Sequence, residues 1–247
     1  MSTRKTRYTE DELRELATLG AAELEGAEAH DILRWTDQHF GGPDGPRGWA
    51  TCKWVVASAM QDALTTSLAS SVRPGVPVIF LDTGYHFAET LGTRDAVEVM
   101  YDIRLVNITP EYTVAEQDQL LGRNLFDSEP NECCRLRKVV PLRKAIKEFD
   151  AMVSGLRRVE SPTRANAPVV SYDASFGVVK VNPIVAWTDE QVEEYMITNG
   201  VLVNPLVAEG YPSIGCAPCT AKPLPGEDPR SGRWAGSSKT ECGLHSG

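Results

Sequence analysis

Short apolar runs recur along this chain, with helical stretches between them. They are Lys53–Ala57, Pro77–Leu81, Ile103–Ile108 and Ala151–Gly155. These runs are continuous, unlike the alternating polar and apolar residues of a half-exposed strand, so each reads as a strand buried on both faces. Strands of that kind alternating with helices build an α/β fold, a mostly parallel sheet with helices on both faces. Phe176–Val181 reads as a further strand at an edge. A helix is expected from the loop Ser58–Asp62 to about Ser71, another from Gly84 to about Tyr101, and a third opens at the capping box Thr188–Gln191.

Upstream, Thr9–Glu12 is a capping box, and Leu13, Leu16, Leu19 and Leu24 follow as a helical stripe. A second helix covers Ala29–His39, and the Gly- and Pro-rich stretch from Gly41 to Pro46 ends it. The expected organisation is a helical N-terminal preface (1–45), an α/β domain (46–223) and a flexible C-terminal tail (224–247), which follows Pro223 and opens with Pro225 and Gly226. Ligands of such sheets sit outside the carboxyl ends of the strands, which directs attention to Ser58–Asp62, Asp82–Gly84 and Gly155–Arg158.

The net charge of −9 argues against binding polymeric nucleic acid, which requires a basic face. No apolar run approaches the roughly 18 residues of a membrane span, and Met1–Thr9 does not lead into a signal-type apolar stretch. A cytoplasmic setting is expected, in which the six cysteines stay reduced. Basic residues nevertheless gather beyond residue 130, among them Arg135, Arg137, Lys138, Arg157, Arg158, Arg164, Arg230 and Arg233. An acidic chain with a basic set near its cysteines points to a small anionic ligand.

Four of those cysteines form two pairs: adjacent Cys133 and Cys134, and the Cys-x-x-Cys of Cys216 and Cys219. Adjacent side chains diverge, which suits one zinc ion poorly. A cubane cluster presents several metal atoms and accepts neighbouring thiolates, so the pattern favours iron–sulfur over zinc or a thiol redox pair. Cys52 begins an apolar strand and reads as core. Cys242 stands alone among small residues, with Lys239 and His245 near enough to favour its thiolate, and reads as a nucleophile on a swinging arm. Lys138, one turn from Cys134, is set to offset cluster charge and to meet an anionic substrate. Arg230 and Arg233, three apart, are suited to grip phosphate or sulfate.

These stretches together resemble the assimilatory sulfonucleotide reductases. The resemblance rests on Cys133–Leu142, Gly215–Thr220, Pro225–Trp234 and the closing Glu241–His245, supported by Leu81–Gly84 with Glu89–Thr90 and by Ser161–Arg164. It covers about residues 50 to 246. It implies an adenine nucleotide alpha-hydrolase-like fold, a 4Fe–4S cluster on Cys133, Cys134, Cys216 and Cys219, and Cys242 as nucleophile. It further implies that Lys138, Arg230, Arg233 and His245 contact the phosphosulfate. Ser58, Leu81, Asp82, Thr83, Gly84, Gly155, Arg157, Arg158 and Arg164 would complete the nucleotide site. The four-cysteine set is typical of members that reduce adenosine 5′-phosphosulfate to sulfite and AMP with thioredoxin as donor, in sulfate assimilation toward cysteine biosynthesis. Reduction of the 3′-phosphorylated substrate is the nearest alternative; an ATP pyrophosphatase of the same fold and a non-catalytic iron–sulfur redox sensor are further ones. In the family, the nucleotide loop usually carries glycine after its serine. Here Ala59 follows Ser58, and no glycine occurs through Asp62. The oligomeric state stays open, a homo-oligomer included.

Overall fold

The computed structural model describes residues 8–42, 51–235, 239 and 241–244. Six strands form one sheet: β1 (Trp54–Ala57), β2 (Val76–Leu81), β3 (Ile103–Ile108), β4 (Ala151–Ser154), β5 (Val170–Asp173) and β6 (Val178–Val181), in the order β3-β2-β1-β4-β6-β5. All neighbours are parallel except β5 and β6, which form an antiparallel hairpin. The expected parallel strands are therefore present. The edge, however, is not the strand at Val178–Val181: β5 covers it, and sequence reasoning missed β5. Asp173 makes this hairpin possible, because its Oδ1 accepts from the backbone N–H groups of Ser175 and Phe176 and ties the turn locally.

Connections run one way from β1 through β2 to β3, and the other way from β4 to β6. The order reverses between β1 and β4, and the carboxyl ends of these two strands flank the crevice where such sheets bind ligands.

Helix α1 (Glu10–Leu24) begins at the expected capping box, with Thr9 and Glu12 bonding reciprocally. Its inward face is Leu13, Ala17, Gly20 and Leu24, while Leu19 is 46% exposed, so the middle of the expected leucine stripe is corrected by one residue. Gly20 occupies that place because a Cβ there would lie 2.8 Å from the Trp35 ring of α2 (Ala29–Phe40). Both helices share one apolar core with β1, β2, β4 and β6, including the fully buried Phe40 and Trp54. Burying each such side chain stabilises the fold by about 1.5–3 kcal/mol. Asp37 of α2 accepts from Trp54 Nε1 (2.8 Å) and Arg73 Nε (2.6 Å), fastening the N-terminal helices to the sheet.

Helix α3 (Leu64–Val72) follows β1, and α4 (Ala88–Met100) follows β2, as expected. Helix α5 (Val114–Leu121) starts at a capping box of Thr113 and Glu116, and α6 (Asp189–Asn199) at one of Thr188 and Gln191. Among the described residues no helix is long and apolar enough to cross a membrane.

Candidate active site

The loop after β1 lacks glycine, and Met60 does what a glycine would do. It takes the left-handed conformation at φ 58°, held by two bonds. Ser58 Oγ accepts from Met60 N–H (3.2 Å), and Asn204 Nδ2 donates to the Met60 carbonyl (3.0 Å). Asn204 is fully buried and also donates to Thr90 Oγ1 (3.1 Å). The Met60 side chain, 1% exposed, packs into the core and offsets the backbone strain.

After β2, the turn Leu81–Gly84 is cross-tied. Gly84 N–H donates to Asp82 Oδ1 (3.1 Å), Arg94 pairs with Asp82 Oδ2 (3.4 Å), and the Leu81 carbonyl meets His86 Nε2 (2.8 Å). Arg137 comes up beneath this turn. Its Nε donates to the Thr83 carbonyl, Nη1 to Gln117 Oε1 (2.8 Å) and Nη2 to the Tyr112 carbonyl (3.3 Å). It is a buried bolt between this turn and the cysteine helix. After β4, Gly155 is needed for close packing, since a Cβ would sit 2.7 Å from Thr65 Oγ1.

Cys133 and Cys134 end a short helix, Pro130–Cys134, that runs on through a π-helical turn (Arg135–Val139) into Val140–Ala145. A π turn inside a helix is frequent at functional sites. Here it buries Arg137 and leaves Lys138 half-buried beside the thiols. Cys216 and Cys219 flank a 3-10 turn that is fixed to the β2 turn: Ala217 N–H donates to the Tyr85 carbonyl (2.7 Å), and Thr83 Oγ1 lies 3.3 Å from Cys216 Sγ. All four cysteines line one pocket with Arg137, Lys138 and the aromatic rings of Tyr85, Phe126 and Trp234. Burial and the neighbouring thiols push the Cys133 thiol up to about 12, and Cys219 up to about 11 for the same reasons. Burial also raises Cys134, with Lys138 opposing. For Lys138, burial opposes the ammonium, but Cys216, Cys242 and Cys134 outweigh it and raise its pKa.

Among the described residues, no group of three or more His, Cys, Asp or Glu side chains is arranged to hold a metal ion. Four thiols nevertheless line one pocket, and soft sulfur donors of this kind fit an iron–sulfur cluster.

Arg233 enters through an antiparallel bridge between Arg233 and Thr220, which lays it beside the Cys-x-x-Cys. It passes so close over Gly215 that a Cβ there would be 2.1 Å from its Nη2. Burial lowers its pKa, with Arg230 adding repulsion. Cys242 is half-buried and within electrostatic reach of Cys134, Lys138 and Arg233. Arg164 and Arg230 both pair with the Glu241 carboxylate (3.1 and 3.2 Å).

Of the remaining expected residues, Ser58, Leu81–Gly84 and Gly155 sit at the carboxyl ends of β1, β2 and β4. Arg157 pairs with Asp189 (2.8 Å). Arg158 is turned to Glu25 at the end of α1 (2.7 and 3.0 Å) and to the Ala167 carbonyl (2.8 Å), so its guanidinium is engaged away from the site. His245 lies outside the described residues. Sequence reasoning missed Asn204, Met60 and Lys180. Asn204 before Pro205 was a legible helix cap, and Lys180 was a lone charge in an apolar run. A left-handed Met60 had no such signal.

The phosphoadenosine phosphosulfate reductase domain matches residues 52–222. The adenosine 5′-phosphosulfate reductase of Mycobacterium tuberculosis H37Rv is 66% identical over 252 residues, covering 99% of each chain. That of Mycolicibacterium smegmatis is 67% identical over 240 residues, covering 97% of this chain and 98% of the relative. A phosphate complex of the phosphoadenylyl-sulfate reductase of Candida auris superposes with a TM-score of 0.67 at 25% identity, over 90% of this chain and 100% of that one. Candida glabrata FMN adenylyltransferase shares the fold alone, with a TM-score of 0.52 at 12% identity, over 85% of this chain and 75% of that one. The fold is adenine nucleotide alpha-hydrolase-like.

Proposed function

The chain belongs to the phosphoadenosine phosphosulfate reductase family, and on that premise we propose that it reduces adenosine 5′-phosphosulfate to sulfite and AMP with thioredoxin as electron donor. The reaction serves sulfate assimilation toward cysteine biosynthesis. One observation carries the reading: Cys242 lies within electrostatic reach of two cations, Lys138 and Arg233, and of Cys134, and Lys138 and Cys134 line the pocket that the four other thiols share.

The Cys242 thiolate attacks the sulfur of the phosphosulfate. The bond from sulfur to the phosphate oxygen breaks, AMP departs with that electron pair, and Cys242 becomes an S-sulfonate. Lys138 and Arg233 face the charge that gathers on the transferring and leaving oxygens. A thiolate of thioredoxin then attacks Cys242 Sγ and sulfite leaves. The second thioredoxin thiol resolves the mixed disulfide, so the dithiol supplies both electrons and Cys242 returns to the thiol. Cys242 moves outward between the two steps to meet the donor. The adenosine end lies along the carboxyl ends of β1, β2 and β4, against Ser58, Leu81–Gly84 and Gly155.

Cys133, Cys134, Cys216 and Cys219 would hold a 4Fe–4S cluster. When bound, it supplies a fixed negative charge beside Lys138 and a tie between two distant segments.

Both family names are represented among the relatives, so the substrate is decided by kinetics. The 5′-phosphosulfate is expected to give kcat/KM at least about 100-fold above its 3′-phosphorylated analogue, a difference of about 2.7 kcal/mol. Equal values, or preference for the analogue, overturn the assignment.

A further inference from the structure

The tail carries Cys242 between two anchors. On one side, the Glu241 carboxylate accepts from Arg164 Nε (3.2 Å), Arg164 Nη2 (3.3 Å) and Arg230 Nη2 (3.2 Å). On the other, the Leu244 carbonyl accepts from Lys180 Nζ (3.1 Å), and the Leu244 side chain packs against the second apolar cluster, which includes Leu142 and Val178. The two anchors differ in kind. Leu244 is held by packing and by a lysine already neutralised by Asp173 (2.6 Å). Glu241 is held almost wholly by charge, and one of its partners, Arg230, belongs to the set expected to grip the substrate anion.

We propose that Glu241 is a positioning residue, a charge latch that holds Cys242 near Lys138 and Cys134 through Arg164 and Arg230. The latch is built for reversal. Its three bonds are 3.2–3.3 Å long, at the weak end of the range for a charge-assisted pair, and all three side chains are 11–19% exposed, so water can replace them. Arg164 is itself aimed by Glu160 at 2.5 Å, which leaves one face of its guanidinium for the tail. The role rests on the reading of Cys242 as the sulfonate acceptor, but the latch is measurable without the reaction.

The test uses the full-chain enzyme with its cluster, as wild type, Glu241→Gln and Glu241→Asp. Iodoacetamide labelling of Cys242, followed by mass spectrometry of its peptide, reads arm opening. The Gln variant is expected to label roughly tenfold faster than wild type, the loss of one charge-assisted tie, with Asp in between. Rising salt should speed labelling of the wild type and leave the Gln variant flat. With adenosine 5′-phosphosulfate and no thioredoxin, S-sulfonate formation should be roughly tenfold slower in the Gln variant. Equal labelling rates, the same salt response in both, or equal sulfonation rates overturn the latch. If the wild type forms no sulfonate at all, the proposed reaction fails, while the labelling and salt comparisons still decide the latch.

Discussion

Arg137→Lys tests whether the cysteine helix and the nucleotide turn are bolted together. Arg137 is 4% exposed and donates to three separate acceptors: the Thr83 carbonyl, Gln117 Oε1 and the Tyr112 carbonyl. A lysine ammonium has no planar fork and reaches one of these sites at a time. Two acceptors are then left without a donor, at about 1–3 kcal/mol each, for a total of about 2–6 kcal/mol. With a urea slope of about 2–3 kcal/mol per M, the unfolding midpoint followed by far-UV circular dichroism should fall by roughly 0.7–3 M. The same change frees the Leu81–Gly84 turn, so AMP should bind more weakly by titration calorimetry. A midpoint within about 0.2 M of wild type, with unchanged AMP affinity, would refute the bolt.

Met60→Gly removes the left-handed strain, about 1–2 kcal/mol, but deletes a buried side chain costing about 2–5 kcal/mol, so a net loss of stability in urea melts is expected. Asn204→Ala leaves the Met60 carbonyl and Thr90 without their donor and should cost about 2–4 kcal/mol in the same assay, with loss of AMP binding. Burial, against the bond to Leu81 and neighbouring Asp82, holds the His86 pKa below its ordinary value of 6.5. The unfolded chain therefore takes up its proton first as pH falls through 6.5, and stability drops below that pH. Glu or Asp titration overlaps only lower down, and His86→Gln should flatten the stability profile between pH 6.5 and about 5. Cys133→Ser and Cys216→Ser should each lose most of the about four iron atoms per chain expected by elemental analysis, whereas Cys242→Ser should retain them.

The sheet was legible because its inner strands are buried on both faces and so read as unbroken apolar runs. The hairpin strand β5 was not, because Val170–Asp173 holds no unbroken apolar run and its turn depends on the Asp173 side chain. The grouping of four cysteines into two pairs was readable from motif spacing, but the placing of Arg233 beside the Cys-x-x-Cys was not, because it depends on a backbone bridge to Thr220. The arginines were readable as a class but not individually. Arg137, Arg158 and Arg164 are alike in sequence, yet one is a bolt, one is turned to Glu25, and one holds the tail. What separates them is the acceptor each meets in space, at sequence distances of 54, 133 and 77 residues. Glu241 sat in view beside Cys242, but its role needs two guanidiniums that only the folded chain brings to it.

Intact-protein mass spectrometry reads directly whether Cys242 takes the sulfonate. Enzyme with its cluster is mixed with adenosine 5′-phosphosulfate in the absence of thioredoxin, then quenched. Wild type is expected to gain one SO3, mapped to Cys242, absent from Cys242→Ser, and discharged as sulfite by reduced thioredoxin. No adduct on wild type, or an equal adduct on Cys242→Ser, would contradict it.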